Sequence, residues 1–428
     1  MSRWERRGVF GQIGRPQLLR RLGPGLITGA ADDDPSGIAT YSQAGAAFGL
    51  NMLWTVVLTY PLMTAVQSIC ARIGRVTGKG LAANLAEIFP SWIVLSLIGL
   101  LFVANTINIG ADLAAMGAAA ELLAGRGREV FTVAFALVSL ALQIFVPYHR
   151  YVRFLKWMTL ALFAYVGVVF TVHIDWGEVA LRTFVPHISG PQAIVTVVAL
   201  FGTTISPYLF FWESSEEVEE EAIADGRGGG LLANPEEADE QLRRIWWDNI
   251  LGMGASNLIA FFIILTTAVA LHAHGVTNIQ TTEQAAAALK PVAGPFAFLL
   301  FSLGIVGTGL LAVPVLAGSV AYAVGELRGW KIGLESKPAE AIGFYGVIGA
   351  AVLFGLVLTW SDIDPIKALF WSAVINGAIA VPIMAATMVV GARRQQMGPF
   401  VATRMQLLLG WLAAAVMAAA VVTMFVTM

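Results

Sequence analysis

The 428-residue chain holds a single cysteine, Cys70, which excludes an internal disulfide. Charge is scarce as well: 13% of residues are charged against 57% hydrophobic, with a mean hydropathy of +0.74. So little charge over so long a chain excludes an ordinary soluble protein and places the sequence among polytopic membrane proteins. A cleavable leader is not expected, because the first long apolar segment contains three aspartates and lacks a separate short apolar core with a cleavage site. Soluble modules are missing too. The one substantial charged loop runs from Glu216 to Arg243 and carries a glycine-rich patch at Gly226 to Gly230, which reads as a cytoplasmic connector. Nothing points to nucleic acid, to a resident cofactor or to a protein partner, and a monomer in the lipid bilayer is expected.

What is present is a series of apolar segments. A helix needs ~20 apolar residues to cross the hydrocarbon core. Candidate segments begin near Leu22, Met52, Pro90, Val130, Val152, Gln192, Arg244, Ala293, Ala341, Pro365 and Met405, eleven in all. With the amino terminus inside, 21 of the 26 Lys and Arg residues fall on the cytoplasmic side, and only Arg126, Arg128, Arg182, Lys290 and Lys367 fall outside. That bias predicts a cytoplasmic amino terminus and an extracytoplasmic carboxyl terminus, and the expected location is the plasma membrane. The net charge of −2 says little, because the two signs are sorted by membrane side.

Two of these segments are broken. Asp32-Asp33-Asp34-Pro35-Ser36-Gly37 interrupts the first and Gly202-Thr203-Thr204-Ile205-Ser206-Pro207-Tyr208 the sixth. Proline disfavours helical geometry at the preceding residue, so the backbone should leave the helix near Asp34 and near Ser206, freeing carbonyl groups. At membrane depth such backbone survives only in protein or beside a polar cavity, and paired broken helices build ion sites in many secondary transporters. A break in the first segment and another five segments later predict an all-α fold of two inverted five-helix repeats plus one extra helix. The expected division of the single transport domain, 1–428, is a cytoplasmic terminus (1–21), a first repeat (22–190), a second repeat (191–392) and the extra helix (393–428). Simple kinking by Pro35 and Pro207 is the plainer reading, disfavoured by the polar residues around both.

The residues resemble the Nramp divalent-metal transporters along essentially the whole chain. Gly23-Pro24-Gly25-Leu26 followed by Asp34-Pro35-Ser36-Gly37 is similar to that family's G-P-G-L and D-P-G-N pattern. The sixth-segment stretch with Ser214-Ser215 downstream is similar to its G-A-T-V-M-P-H and S-S, and Asp112-Leu113-Ala114 to its D-L-A-E. The resemblance implies a LeuT-like inverted repeat with helices 1 and 6 discontinuous, and a divalent cation as substrate.

The departures fall on the positions that the resemblance marks as chemical. Ser206 stands in place of a methionine, and losing a soft thioether should relax the preference for transition metals over Mg²⁺, which takes hard oxygen donors. Gly37 stands in place of an asparagine, and its lack of a side chain predicts room for a retained water. Both changes resemble the Nramp-related magnesium transporter branch. Tyr208 and Glu213 occupy the places of two histidines, and Asn105 and Ala115 those of glutamates in the third helix. At the start of the ninth helix Pro338, Ala339, Glu340 and Ala341 stand where an arginine pair is common. Asp112 alone is kept. A proton relay needs titratable groups within reach of one another, so the expectation is an uncoupled facilitator of Mg²⁺, and also of Mn²⁺, working by alternating access. The alternative is a proton-coupled Mn²⁺/Fe²⁺ transporter.

The expected cation ligands are therefore Asp34, the carbonyls of Ala31 and Thr204, Ser206, a water beside Gly37, and Asn376 from the tenth helix. Asp32, Asp33, Asp112, Tyr208, Glu213 and Glu217 are candidates for coupling or for a cytoplasmic vestibule. Glu213, Glu217 and Glu220 form an i, i+4, i+7 stripe whose plainer reading is a solvated acidic helix end. Successive helical residues point ~100° apart, so the three aspartates cannot share one face unless the chain is unwound. Gly29, Gly37 and Gly202 are expected to act as hinges. An enzyme is disfavoured: a membrane prenyl transferase binding a Mg²⁺-diphosphate would need a second aspartate-rich motif, and Asp362-Ile363-Asp364 lies at an expected outer loop. An amino-acid transporter of the same fold is disfavoured because the aspartates would repel a substrate carboxylate.

Overall fold

The computed structural model describes residues 28–427 apart from 30, 147–154, 156–157, 226–228, 335 and 362. The Gly23-Pro24-Gly25-Leu26 motif, the segment start near Val152, most of the Gly226 to Gly230 patch and Asp362 lie outside the described residues. Among the described residues there are helices, turns and no strand. Eight stretches are long and apolar enough to cross a membrane, the first of them Pro35–Thr77, which encloses two helices. Two shorter apolar helices, Thr159–Val169 and Ile342–Leu358, stand where the fifth and ninth segments are expected.

The helices that frame the site are α1 (Pro35–Phe48), α2 (Leu53–Thr77), α3 (Ser91–Ala124), α4 (Arg128–Phe145), α5 (Phe163–Val169), α6 (Pro191–Thr204), α7 (Pro207–Asp225), α8 (Ala238–Ala270), α9 (Ala297–Arg328), α10 (Ile342–Leu358), α11 (Pro365–Ala392) and α12 (Arg404–Thr427). The α3 helix runs through the centre, packed on α9, α10 and α11, while α8 covers α1 and α2, and α7 lies between α2 and α9.

Both breaks fall where the prolines place them. Asp34 is extended (φ −67°, ψ 170°) and caps α1, whose first residue is Pro35. A proline costs nothing at that position, since its missing N–H would have no helical partner there. In the second break Ile205 leaves the helix (φ −114°, ψ 59°) and α7 restarts at Pro207. Pro207 cannot donate to the carbonyl four residues back, Thr203. The Ser206 hydroxyl does so instead, lying 2.9 Å from that carbonyl oxygen and 2.7 Å from that of Gly202.

The glycines expected as hinges serve close packing. None of Gly29, Gly37 and Gly202 takes a positive φ. A Cβ on Gly29 would sit 2.4 Å from the Gly252 backbone of α8, and one on Gly202 would sit 2.0 Å from the Ala373 carbonyl and 2.4 Å from the Gly377 nitrogen of α11. Backbone on both sides cannot step aside as a flexible side chain can. Gly202→Ala is therefore expected to destabilise the protein by about 1–3 kcal/mol, as overpacking of a close-packed interior does. The measurement is the detergent-phase unfolding midpoint, and an unchanged midpoint would remove the close approach as the reason for this glycine.

Candidate cation site

Three carboxylates meet in the first break, and all are buried: Asp32, Asp33 and Asp34 are 0, 4 and 2% exposed. Asp32 is still helical while Asp33 and Asp34 are not, and the carboxylates divide between two neighbouring helices. Ser256 of α8 donates to Asp32 Oδ2 at 2.7 Å or lies 3.0 Å from Asp33 Oδ1. Asp34 turns the other way. Its Oδ1 accepts from the Ser36 hydroxyl and the Gly37 amide, each at 2.7 Å, and its Oδ2 accepts from Asn108 Nδ2 of α3 at 3.0 Å. Asn108 is held in turn by Ser372 of α11, whose hydroxyl donates to Asn108 Oδ1 at 2.8 Å.

The two breaks touch at three points. Ser36 and Thr203 hydroxyls are 3.4 Å apart, Tyr41 and Thr204 hydroxyls 3.2 Å, and Tyr208 donates its hydroxyl to the Ala31 carbonyl at 3.1 Å. Two of the expected ligands are thus engaged within the protein. The Ala31 carbonyl accepts from Tyr208, and Ser206 closes the frayed end of α6, as described above. Beside Gly37 the fit is tight: a Cβ there would meet the Asp32 carbonyl, the Thr203 hydroxyl and the Tyr41 ring, each at 3.3 Å.

Further polar groups on the surrounding helices have no partner. One turn beyond Asn108 on α3, both carboxylate oxygens of the fully buried Asp112 lack a hydrogen bond, and so does Asp32 Oδ1. One turn beyond Ser372 on α11, the fully buried Asn376 has neither its amide nitrogen nor its oxygen satisfied. Among the described residues, none of Asp32, Asp33, Asp34 and Asp112 makes an ion pair with a basic side chain. Buried carboxylates without a cation are costly, so the cluster favours an added positive charge. The donors on offer are carboxylate, hydroxyl, amide and carbonyl oxygens. Among the described residues, no three His, Cys, Asp or Glu side chains are already gathered as a metal cage.

The acidic stripe on α7 is buried over its first two members, and only Glu220, its side chain 40% exposed, reaches solvent. Glu213 and Glu217 are fully buried. Glu213 accepts from the Thr28 hydroxyl and from Asn249 Nδ2 at 3.2 Å. Arg244 of α8 reaches Glu217 at 2.6 Å and Glu220 at 3.2 Å. The side of the molecule where α7 ends is thereby closed by contacts from the chain before the first break and from α8. Asn105, at a position where the resemblance expects a glutamate, donates to the Leu316 carbonyl and to Ser319, both at 2.8 Å, and so ties α3 to α9.

Sequence reading missed Asn108, Ser256, Ser372, Thr203 and Tyr41. A signal existed for the first: Asn105, Asn108 and Asp112 recur at i, i+3 and i+7, a polar stripe on one face of an otherwise apolar helix. The serines, threonine and tyrosine carry no such pattern.

Residues 25–427 match the family described as Natural resistance-associated macrophage protein-like, Nramp. A divalent metal cation transporter, MntH, of Deinococcus radiodurans is 26% identical over 427 residues, covering 96% of this chain and 91% of its own length. A second, from Yersinia pestis, is 28% identical over 316 residues, covering 71% of this chain and 72% of its own length. In fold, the chain is similar to a manganese transporter of Eremococcus coleocola, solved with an aromatic bis-isothiourea substituted compound (TM-score 0.74, 15% identity, 96% of this chain and 87% of that one). It is also similar to Mhp1, a nucleobase-cation-symport-1 family transporter (TM-score 0.54, 14% identity, 94% and 92%). The fold is thus the all-helical, LeuT-like arrangement with its first and sixth helices broken, and the chain belongs to the Nramp family.

Proposed function

We propose that the protein carries divalent cations, Mg²⁺ foremost and Mn²⁺ as well, across the plasma membrane into the cytoplasm by alternating access, without coupled protons. The observation that carries this reading is the set of buried carboxylates at and beside the first break, which no basic side chain among the described residues offsets. The relatives whose names state divalent metal or manganese transport support the substrate class. Preference for Mg²⁺ is supported by the donors of the breaks, which are carboxylate, hydroxyl, amide and carbonyl oxygens, with Ser206 where the resemblance expects a thioether; such a set suits a hard cation over a softer transition metal.

Absence of proton coupling is supported by what surrounds Asp34. Its partners are a serine, a backbone amide and Asn108, and the partner of Asn108 is again a serine. Amides and hydroxyls do not titrate near neutral pH, so among the described residues no hydrogen-bonded chain of acids and bases leads away from the Asp34 carboxylate. With the amino terminus inside, the closed end of α7 faces the cytoplasm. Release then requires Arg244 to part from Glu217 and Thr28 from Glu213, which would expose acidic side chains along the exit.

Titration calorimetry of the purified protein with Mg²⁺, Mn²⁺ and Cd²⁺ tests the preference. Mg²⁺ binding that competes with Mn²⁺ and is not displaced by equimolar Cd²⁺ is the expected result. Binding of Mn²⁺ and Cd²⁺ with none of Mg²⁺ would favour the ordinary proton-coupled Mn²⁺/Fe²⁺ reading.

A further inference from the structure

A groove of about 530 Å³ lies on the outer surface over α2, flanked by α8 and α12. Its lining is mainly carbon, from residues such as Pro61, Leu242, Ile250, Met405 and Leu409, with Trp246 on its rim. Two guanidinium groups stand in it, Arg72 of α2 and Arg243 of α8. One turn along α2, Arg75 has a carboxylate, Glu237, at 4.0 Å, and next along α8 Arg244 holds Glu217. Neither Arg72 nor Arg243 makes an ion pair among the described residues. Arg72 is half-buried, and the nearest acceptors of its Nη1 are the Phe400 and Val401 carbonyls at 3.4 and 3.5 Å.

A second observation lies deeper in the same groove. Ser68 and Thr64, one and two turns from Arg72 on the same face of α2, are 2 and 9% exposed, and neither hydroxyl has a hydrogen-bond partner. The groove thus presents positive charge at one end, unsatisfied hydroxyls about 6 and 12 Å further in, and then apolar wall as far as Tyr60. Tyr60 to Arg72 spans ~18 Å of helix, close to one leaflet of a hydrocarbon core ~30 Å thick.

We propose that this groove is a binding site for one anionic glycerophospholipid, with its phosphate on Arg72 and Arg243, its ester oxygens on Ser68 and Thr64, and an acyl chain along the wall toward Tyr60. Basic pockets between membrane helices at the cytoplasmic level recruit anionic lipid headgroups in this way. The orientation proposed above decides only which leaflet supplies the lipid. Charge disfavours the other occupant at hand, the chain's own first 27 residues, which carry six arginines and one glutamate.

Native mass spectrometry of the full chain in detergent tests the site, with phosphatidylglycerol and phosphatidylcholine of matched chains as probes and inorganic phosphate as competitor. Phosphatidylglycerol should be retained at least about tenfold more than phosphatidylcholine, and each arginine replaced should weaken that preference about fivefold. Arg72→Gln with Arg243→Gln should abolish it, while Arg72→Lys keeps most of it. Arg243 is exposed, so Arg243→Gln alone gives a reading even where the double variant fails to fold. Equal retention of the two lipids, or an undiminished preference in the variants, would overturn the proposal. So would displacement of the lipid by inorganic phosphate, which would mean a site for free anions.

Discussion

Asp34→Asn is expected to cut divalent-cation uptake by on the order of a thousandfold while leaving the start of α1 intact. Unit charges ~4 Å apart at an effective dielectric of ~20 attract by about 4 kcal/mol, close to three powers of ten in an equilibrium constant, and a divalent ion gains more. Asparagine caps a helix about as well as aspartate. It can keep the bonds from Ser36 and the Gly37 amide that Asp34 makes now. Asp34→Ala loses the cap as well, at a further cost of about 0.5–2 kcal/mol in stability. Uptake rates and unfolding midpoints of the two variants therefore separate charge from capping. Equal transport by wild type and Asp34→Asn would mean that Asp34 holds the helix and that another carboxylate holds the ion.

Ser206→Met is expected to move the ratio of Mn²⁺ to Mg²⁺ transport by about tenfold or more toward Mn²⁺. A thioether suits softer metals and adds nothing for Mg²⁺. The substitution also takes away the hydroxyl that satisfies the Gly202 and Thr203 carbonyls. Methionine is larger than serine at a buried position, so some instability is expected from crowding. Ser206→Cys supplies sulfur at nearly unchanged volume and should shift selectivity in the same direction by less. Competition between the two ions in uptake reads out both variants, and an unchanged ratio in both would remove this position from the selectivity mechanism.

Much of the architecture was legible because proline and hydropathy act locally. Pro35 and Pro207 open α1 and α7, as expected from the restriction a proline places on its predecessor. The partners of the aspartates were not legible, because they are fixed by packing between distant parts of the chain. Asp34 meets Asn108, and Asp32 meets Ser256, across 74 and 224 residues. Arg244 illustrates the same limit. Tryptophans beside arginines at a helix start commonly mark a membrane interface, and Trp246 and Trp247 are 44 and 51% exposed, yet this arginine turns inward to Glu217. Gly202 reads as a hinge because glycine permits unusual backbone. Its actual constraint is the α11 backbone against it, which no local pattern records.

The division of the three carboxylates bears on mechanism. Asp34 is tied through Asn108 to α3 and α11, and Asp32 and Asp33 are tied to α8, so movement of α8 against α3 would draw the carboxylates apart or together. Such movement would also act on Arg244 and Asn249, which lie on α8 and close the path at α7. A cation that gathers the carboxylates would thus favour one arrangement of these helices over the other, as differential binding to two states requires.

The most direct test is uptake of Mg²⁺ into proteoliposomes with internal pH followed at the same time and Asp34→Asn as the control. Mg²⁺ entry that leaves the internal pH unchanged and is lost in the variant is the predicted result. Mn²⁺ entry accompanied by acidification, with no Mg²⁺ flux, would contradict it.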